Sequence, residues 1–218
     1  MPRIIDVLLS ILALFVLLPL FIPIVIILLL TGEHKVFYLQ TRVGYRNKNF
    51  KIIKFATMLS NSANMGSGSL TLRNDPRVLP FGSFLRKTKI NELPQILNII
   101  IGDLSIVGPR PQMQVDFEKY SDDVQGKIYN VRPGLTGIGS IIFRDEESLI
   151  SAASEQEDPH KFYKRVIAPY KGELEMWYQE NYSIYLDFQL IFMTAWVILF
   201  PKSKLYNKWF KNLPEKSF

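Results

Sequence analysis

Residues Leu85–Pro111 read LRKTKINELPQILNIIIGDLSIVGPRP, and this stretch decides how the rest of the chain is understood. Asn91 suits a helix N-cap, because its side-chain oxygen can accept from a free N–H of the first turn. Pro94 then falls in that turn, where a missing N–H does little harm. Leu93, Ile96, Leu97 and Ile100 follow at i, i+3, i+4 and i+7, the spacing of one buried helical face. Gly102 is placed to end the helix. Glu92 is expected on the first turn, where spare N–H groups and the helix dipole favour an anion. Gly108-Pro109-Arg110-Pro111 is a stiff turn that holds Arg110 in one direction, and a planar guanidinium so held suits a phosphate. The plainer reading of the same residues is an ordinary amphipathic helix with capped ends.

Composition narrows the chemistry. The chain has 218 residues, about one domain, and a formal net charge of +6. A basic balance fits nucleic acid, anionic lipid or phosphorylated substrates, and no nucleic-acid motif is found. There is no Cys, which excludes disulfides, thiolate zinc sites and Cys nucleophiles. His34 and His160 are the only histidines, too few for a multi-histidine metal site. Chemistry here rests on carboxylates, Lys, Arg and a hard cation.

Val7–Leu30 is a run of 24 uncharged residues. As a helix it reaches about 36 Å, enough to cross a bilayer core. It is too long for a signal-peptide core and lacks a small-residue cleavage site. A single spanning helix is the plain reading. Pro19 and Pro23 argue for a bend instead. Positive charge also flanks both ends, Arg3 before and Lys35, Arg42, Arg46, Lys48, Lys51 and Lys54 after. A helix that enters, bends and leaves by one face keeps all of these in the cytoplasm.

Two β-rich runs within Val36–Met58 flank the polar turn Tyr45–Lys48 and predict a hairpin. Ser60–Ser69, SNSANMGSGS, cannot build a core and is expected to be mobile, as a lid or a connector. Gln112–Tyr129 reads as a polar, surface-lying helical stretch. Val131–Gly137, VRPGLTG, is expected to form a tight turn that holds Arg132. Asp145–Asp158 carries six acids and reads as a solvated face. Leu186–Phe200, 15 residues, is too short and too polar to span a bilayer and fits an interfacial helix. Trp177, Trp196 and Trp209 suit the headgroup level, and Lys202, Lys204, Lys208 and Lys211 add attraction to anionic lipid.

The core stretch resembles that of the bacterial sugar transferases, also called monotopic phosphoglycosyl transferases. The likeness extends over more than twenty positions of that stretch. It continues through Arg3 and Asp6 at the start. It includes Gln40, Arg42, Val43, Gly44, Phe50, Lys54, Phe55 and Met58 in the hairpin, and then Asp75-Pro76-Arg77. It returns at Val131–Gly137 and near the end at Tyr178, Asn181, Ser183, Leu186, Asp187, Ile191, Thr194 and Val197. It thus runs from Arg3 to about Leu199. The resemblance implies a sugar-1-phosphate transferred from a UDP-sugar to a polyprenyl phosphate, with release of UMP and with Mg2+ as cofactor. It also implies a re-entrant membrane helix hairpin. Arg42 and Lys54 would then approach the diphosphate, Arg86 would sit where the family keeps a phosphate-binding arginine, and Arg110 and Arg132 would add phosphate contacts. Glu92 would serve catalysis and hold the metal.

Three positions depart from the family pattern. Leu18 replaces the usual Ser before the breaking proline, and Ala56 replaces an Arg. Asn91 stands where the family has the Asp of an Asp-Glu pair, the residue thought to attack the β-phosphorus. An amide oxygen is a poor nucleophile. Glu92 taking over, direct attack by the carrier phosphate, and an inactive scaffold in a glycan-assembly complex therefore remain open. The expected architecture is α+β and mostly helical: a membrane re-entrant helix over 1–34, a membrane-associated catalytic domain over 35–200, and a basic tail over 201–218. The expected location is the bacterial inner membrane with the catalytic domain on its cytoplasmic face. Neither the sugar nor the oligomeric state is legible.

Overall fold

The computed structural model of the chain describes residues 1–216 apart from positions 67, 69 and 73. The molecule is mostly helical, as expected. Its helices are α1 Arg3–Leu30, α2 Pro80–Lys87, α3 Gln95–Ile101, α4 Gln114–Phe117, α5 Asp122–Lys127 and α6 Ile138–Ile142. They continue with α7 Glu146–Ala153, α8 Pro159–Phe162, α9 Ala168–Glu180, α10 Ile184–Leu199 and α11 Tyr206–Trp209.

The predicted hairpin is present. β1 Phe37–Val43 pairs antiparallel with β2 Asn49–Phe55, from Phe37 opposite Phe55 to Val43 opposite Asn49. Arg46 and Asn47 take left-handed φ values of 55° and 57° in the connecting turn. A second, parallel pair joins β3 Ser105–Val107 to β4 Gly134–Thr136. The VRPGLTG segment is therefore a strand as well as a turn. Its Gly134 lies so close to the Gly108 turn that a Cβ there would sit 2.1 Å from the Gly108 nitrogen. Only glycine allows that approach.

α1 is one continuous element, with Pro19 and Pro23 inside it. Each proline removes one backbone bond and leaves its neighbours to carry the helix. Both ends of α1 pack on the rest of the chain. At the N-terminal end Arg3 donates to the carbonyls of Ile100 (3.0 Å) and Leu104 (3.4 Å). Asp6 is buried and accepts from the Ser105 hydroxyl and the Ile106 N–H, each at 2.9 Å. At the other end Ile24 and Leu28 are buried with Phe55 and Leu85. The middle is bare: Leu12 is 61%, Phe15 72% and Val16 69% exposed.

The core stretch folds differently from its sequence reading at one point. Asn91 does not cap α3. Ile90–Glu92 is a separate 3-10 turn entered through Lys89 at a left-handed φ of 60°, and α3 starts only at Gln95, with Pro94 as its N-cap. Proline at the cap of the following helix displaces Asn91 and Glu92 from its first turn. The buried face is also rotated: Gln95, Ile96, Asn98 and Ile99 are buried, while Leu93, Leu97 and Ile100 are half-buried. Asn98 explains the rotation. Its amide accepts from Ile53 N–H (2.9 Å) and donates to the Lys51 carbonyl (2.8 Å), which docks α3 onto β2. Gly102 ends the helix in the left-handed region, as read from sequence.

The Ser60–Ser69 segment, of which positions 67 and 69 lie outside the described residues, is organised by Arg77. That guanidinium is buried, ion-paired with Asp75, and donates to the carbonyls of Ser62, Met65, Gly68 and Leu70. A polar loop that satisfies its carbonyls on one cation needs no apolar core. In Gln112–Tyr129 two short helices alternate with Phe117, Tyr120, Ile128 and Tyr129, all buried. The main core gathers these with Ile138, Ile167, Leu174, Leu190 and Met193.

Candidate active site

β1 brings Arg42, β2 Lys54, α2 Arg86, the 3-10 turn Asn91 and Glu92, and the turn after β3 Arg110; all six line one cleft of about 1300 Å³. Glu92 and Arg110 form its centre. The Arg110 Nη2 donates to Glu92 Oε1 at 2.7 Å and Nη1 to Oε2 at 3.4 Å, a fork-to-fork pair.

The Arg110 turn is held from several sides. Its N–H donates to Glu175 Oε1 (3.3 Å), and its carbonyl accepts from the Tyr129 hydroxyl (2.9 Å). Gly134 N–H donates to the Pro109 carbonyl next to it (2.9 Å). The stiffness expected of the two prolines is thus reinforced by β4, Tyr129 and α9.

Arg42 reaches in from the hairpin. Its Nη1 donates to the Pro111 carbonyl and its Nε and Nη2 to Gln40 Oε1. Arg86 is ion-paired with Glu147 of α7. Lys89 also lines the cleft. Five cations therefore surround Glu92, and the surplus of positive charge suits a ligand with several negative charges.

The titration behaviour follows from this crowding. Burial, and then the neighbouring Arg42, lower Lys54 to about 7. Arg42 is lowered by burial and by Arg110, and Lys89 by burial. Burial acts to raise Glu92, but Arg110 and Lys54 together hold it well below the usual carboxylate range, so it is ionised. Arg110 is raised by Glu92. Burial lifts Glu175 to about 7, against the Arg110 N–H that lowers it.

Arg132 stands apart from the other sequence-predicted residues. It is exposed, donates to the Gly102 carbonyl at 3.0 Å, stacks over Tyr45 at 5.3 Å, and does not line the cleft. Its turn fixes it against the end of α3, where it makes a helix C-cap contact.

The acidic stretch is not simply a solvated face. Glu146 accepts from Lys171 Nζ at 2.6 Å, Glu147 pairs with Arg86, and both line the cleft. Sequence reading also passed over Lys89, Glu175 and Lys171. These act through tertiary contacts, and only the apolar spacing around Lys171 and Glu175 hinted that two charges lie on a buried helix face.

For a metal, the described residues contain no group of three or more His, Asp or Glu. Mg2+ needs fewer, since it is commonly held by one or two protein oxygens together with substrate phosphates. Glu92 could supply one such oxygen. The Asn91 Oδ1 could supply another: it is buried at the cleft and has no hydrogen-bond partner. These residues fit a cation that arrives with a diphosphate.

Comparison with known proteins agrees with this chemistry. A family model described as bacterial sugar transferase matches residues 1–201. The exopolysaccharide production protein ExoY of Sinorhizobium fredii is 34% identical over 203 residues, covering 87% of this chain and 81% of that protein. A UDP-N-acetylgalactosamine-undecaprenyl-phosphate N-acetylgalactosaminephosphotransferase of Aeromonas hydrophila is 30% identical, over 89% of this chain and 42% of the relative. A UDP-glucose:undecaprenyl-phosphate glucose-1-phosphate transferase of Escherichia coli is 32% identical, over 87% and 38%. The chain thus spans less than half of the latter two.

Proposed function

Because this chain belongs to the bacterial sugar transferase family, we propose that it moves a sugar-1-phosphate from a UDP-sugar to a polyprenyl phosphate and releases UMP. The observation that carries this reading is the cleft in which Arg42, Lys54, Arg86, Lys89 and Arg110 surround Glu92. A diphosphate with a negative charge on each phosphate fits such a cluster, and fixed cations stabilise the charge that develops on the leaving phosphate.

The carrier phosphate, already anionic, attacks the β-phosphorus directly. A new phosphorus–oxygen bond forms to the carrier, the bond from β-phosphorus to the bridging oxygen breaks, and UMP leaves with that oxygen. Two observations favour this over a covalent route. Asn91 offers an amide oxygen, and the ion pair with Arg110 stabilises the Glu92 carboxylate and lowers its nucleophilicity. Glu92 and Asn91 are the residues that would hold Mg2+, which when bound would draw charge from the diphosphate. Arg110 is preorganised by Glu175 and Tyr129. An inactive scaffold has no use for such a cluster.

The bare middle of α1 and the apolar outer face of α10, with Tyr185, Phe188 and Phe192 exposed, suit a membrane-seated enzyme. Both ends of α1 pack on one body, which supports a re-entrant insertion with residues 35–200 on the cytoplasmic face of the inner membrane. A helix crossing the bilayer would carry one end away. Cysteine labelling at positions 2 and 34 in intact cells tests this, and outside exposure of one position alone would refute it. The reaction is tested by UMP release from a panel of UDP-sugars with a polyprenyl phosphate. No release with any sugar, in the presence of Mg2+, would overturn the assignment.

A further inference from the structure

Beyond the cation cluster the same cleft has a second polar end. Its wall is α6, the turn after it, and the start of α7, closed by α9. Lys171 is 4% exposed, yet its Nζ meets Glu146 at 2.6 Å and the Tyr163 hydroxyl at 3.5 Å. It also lies 5.3 Å from the ring centroids of both Phe143 and Tyr163. Beside this group the Ser140 Oγ and the Arg144 Nε are shielded from solvent without a hydrogen-bond partner. All six residues line the cleft. Polar atoms left unpaired in a protein interior are uncommon and need a partner, which a polar ligand entering the cleft would supply.

This end adjoins the reacting centre. Gly139, which precedes Ser140, lies against Glu175 so closely that a Cβ would sit 2.4 Å from its Oε1, and that oxygen accepts the Arg110 N–H. A ligand whose phosphate lies on Arg110 therefore extends naturally toward Ser140 and Glu146. The chemistry there is mixed: hydroxyl, guanidinium and carboxylate with aromatic walls. It suits a neutral, hydroxyl-rich ring better than a further anion, since the wall carries Glu146 and Glu147 as well as cations.

We infer that Ser140, Arg144, Glu146 and Lys171 form the subsite for the pyranose of the donor and discriminate between sugars by their hydroxyl pattern. The inference rests on the donor reading given above.

Calorimetric titration of the full chain in detergent micelles tests it, with UDP and a set of UDP-hexoses and UDP-N-acetylhexosamines as probes. For the preferred UDP-sugar, Ser140→Ala and Glu146→Gln should each weaken binding by about tenfold, the size of one or two lost hydrogen bonds. They should also change the ratio of affinities between epimers and leave UDP binding within about twofold. Glu146→Gln keeps an oxygen for Lys171, so a fold defect is separable by its unfolding temperature. Equal weakening of UDP and UDP-sugar would assign this wall to the nucleoside diphosphate and overturn the inference. Unchanged UDP-sugar binding in both variants would overturn it too. Normal donor binding without transfer to polyprenyl phosphate would instead refute the reaction and leave the subsite intact.

Discussion

Lys54 should make donor binding fall steeply with rising pH. Burial, and then the crowd of Arg42, Arg110 and Arg86, lower its ammonium to about 7 against the opposing pull of Glu92. Bringing a diphosphate beside it supplies the negative charge it lacks and restores its proton. The sign follows. A cation whose value in the free enzyme is depressed is charged below pH 7 and neutral above it, and the charged form is the one that binds. If the bound form stays protonated throughout, affinity scales with the charged fraction of the free enzyme. That fraction falls from about three-quarters at pH 6.5 to about 3% at pH 8.5. The expected loss is about 25-fold, or about 1.9 kcal/mol. A UDP-sugar has no phosphate that titrates in this range, so the ligand does not contribute. Glu175 does, since it also titrates near 7 and its ionisation places a negative charge behind the Arg110 N–H. The measurement therefore belongs in Glu175→Gln as well as the wild type. Titration calorimetry in two buffers of different ionisation enthalpy should show nearly one proton taken up per donor at pH 8, and roughly a quarter of one at pH 6.5. Lys54→Arg should flatten the profile. A dissociation constant constant within twofold across this range in Glu175→Gln, with no buffer-dependent enthalpy, would show that Lys54 does not meet the diphosphate.

Arg110→Ala should lower turnover by roughly 10²-fold or more, with membrane association measured by flotation unchanged, and Arg110→Lys should recover little because it lacks the planar fork. Asn91→Asp should leave UMP release unchanged or reduce it by adding an anion beside Glu92; a sharp gain, with a phospho-sugar adduct found by mass spectrometry, would establish the covalent route instead. Arg77→Met should cost about 3–5 kcal/mol in chemical denaturation, since it strands Asp75 and four loop carbonyls; a loss below about 1 kcal/mol would show that the loop does not depend on it.

Local rules served well where the cause was local. The hairpin, the Gly102 stop and the fixed Arg110 turn were legible because glycine, proline and alternation act on their own neighbours. Asn91 misled because its capping preference is real but Pro94, three residues on, takes the cap position. Asn98 is one polar residue on an apolar helix, and only its bonds to β2 across the fold show why that face turns inward. Arg132 is held by its Pro and Gly neighbours, as the turn chemistry indicates. Stiffness says that a side chain is aimed, and only the pairing of β3 with β4 says where. The Glu146–Lys171 contact spans 25 positions in sequence. No periodicity announces it, and a run of acids is ordinarily read as surface.

The cluster at the C-terminal end of α1 has a further consequence. Ile24 and Leu28 are packed against Phe55 and Leu85, and these two are the immediate chain neighbours of Lys54 and Arg86. The helix proposed to enter lipid and the cations proposed to meet phosphate thus share one wall. On that reading α1 would be a structural member of the reaction chamber as well as a tether. Replacing it with a foreign anchor of equal hydrophobicity would keep the protein on the bilayer and still loosen two of its cations. A change in bilayer thickness that tilts the helix would reach the same two side chains, which makes the state of the membrane a variable of the chemistry itself.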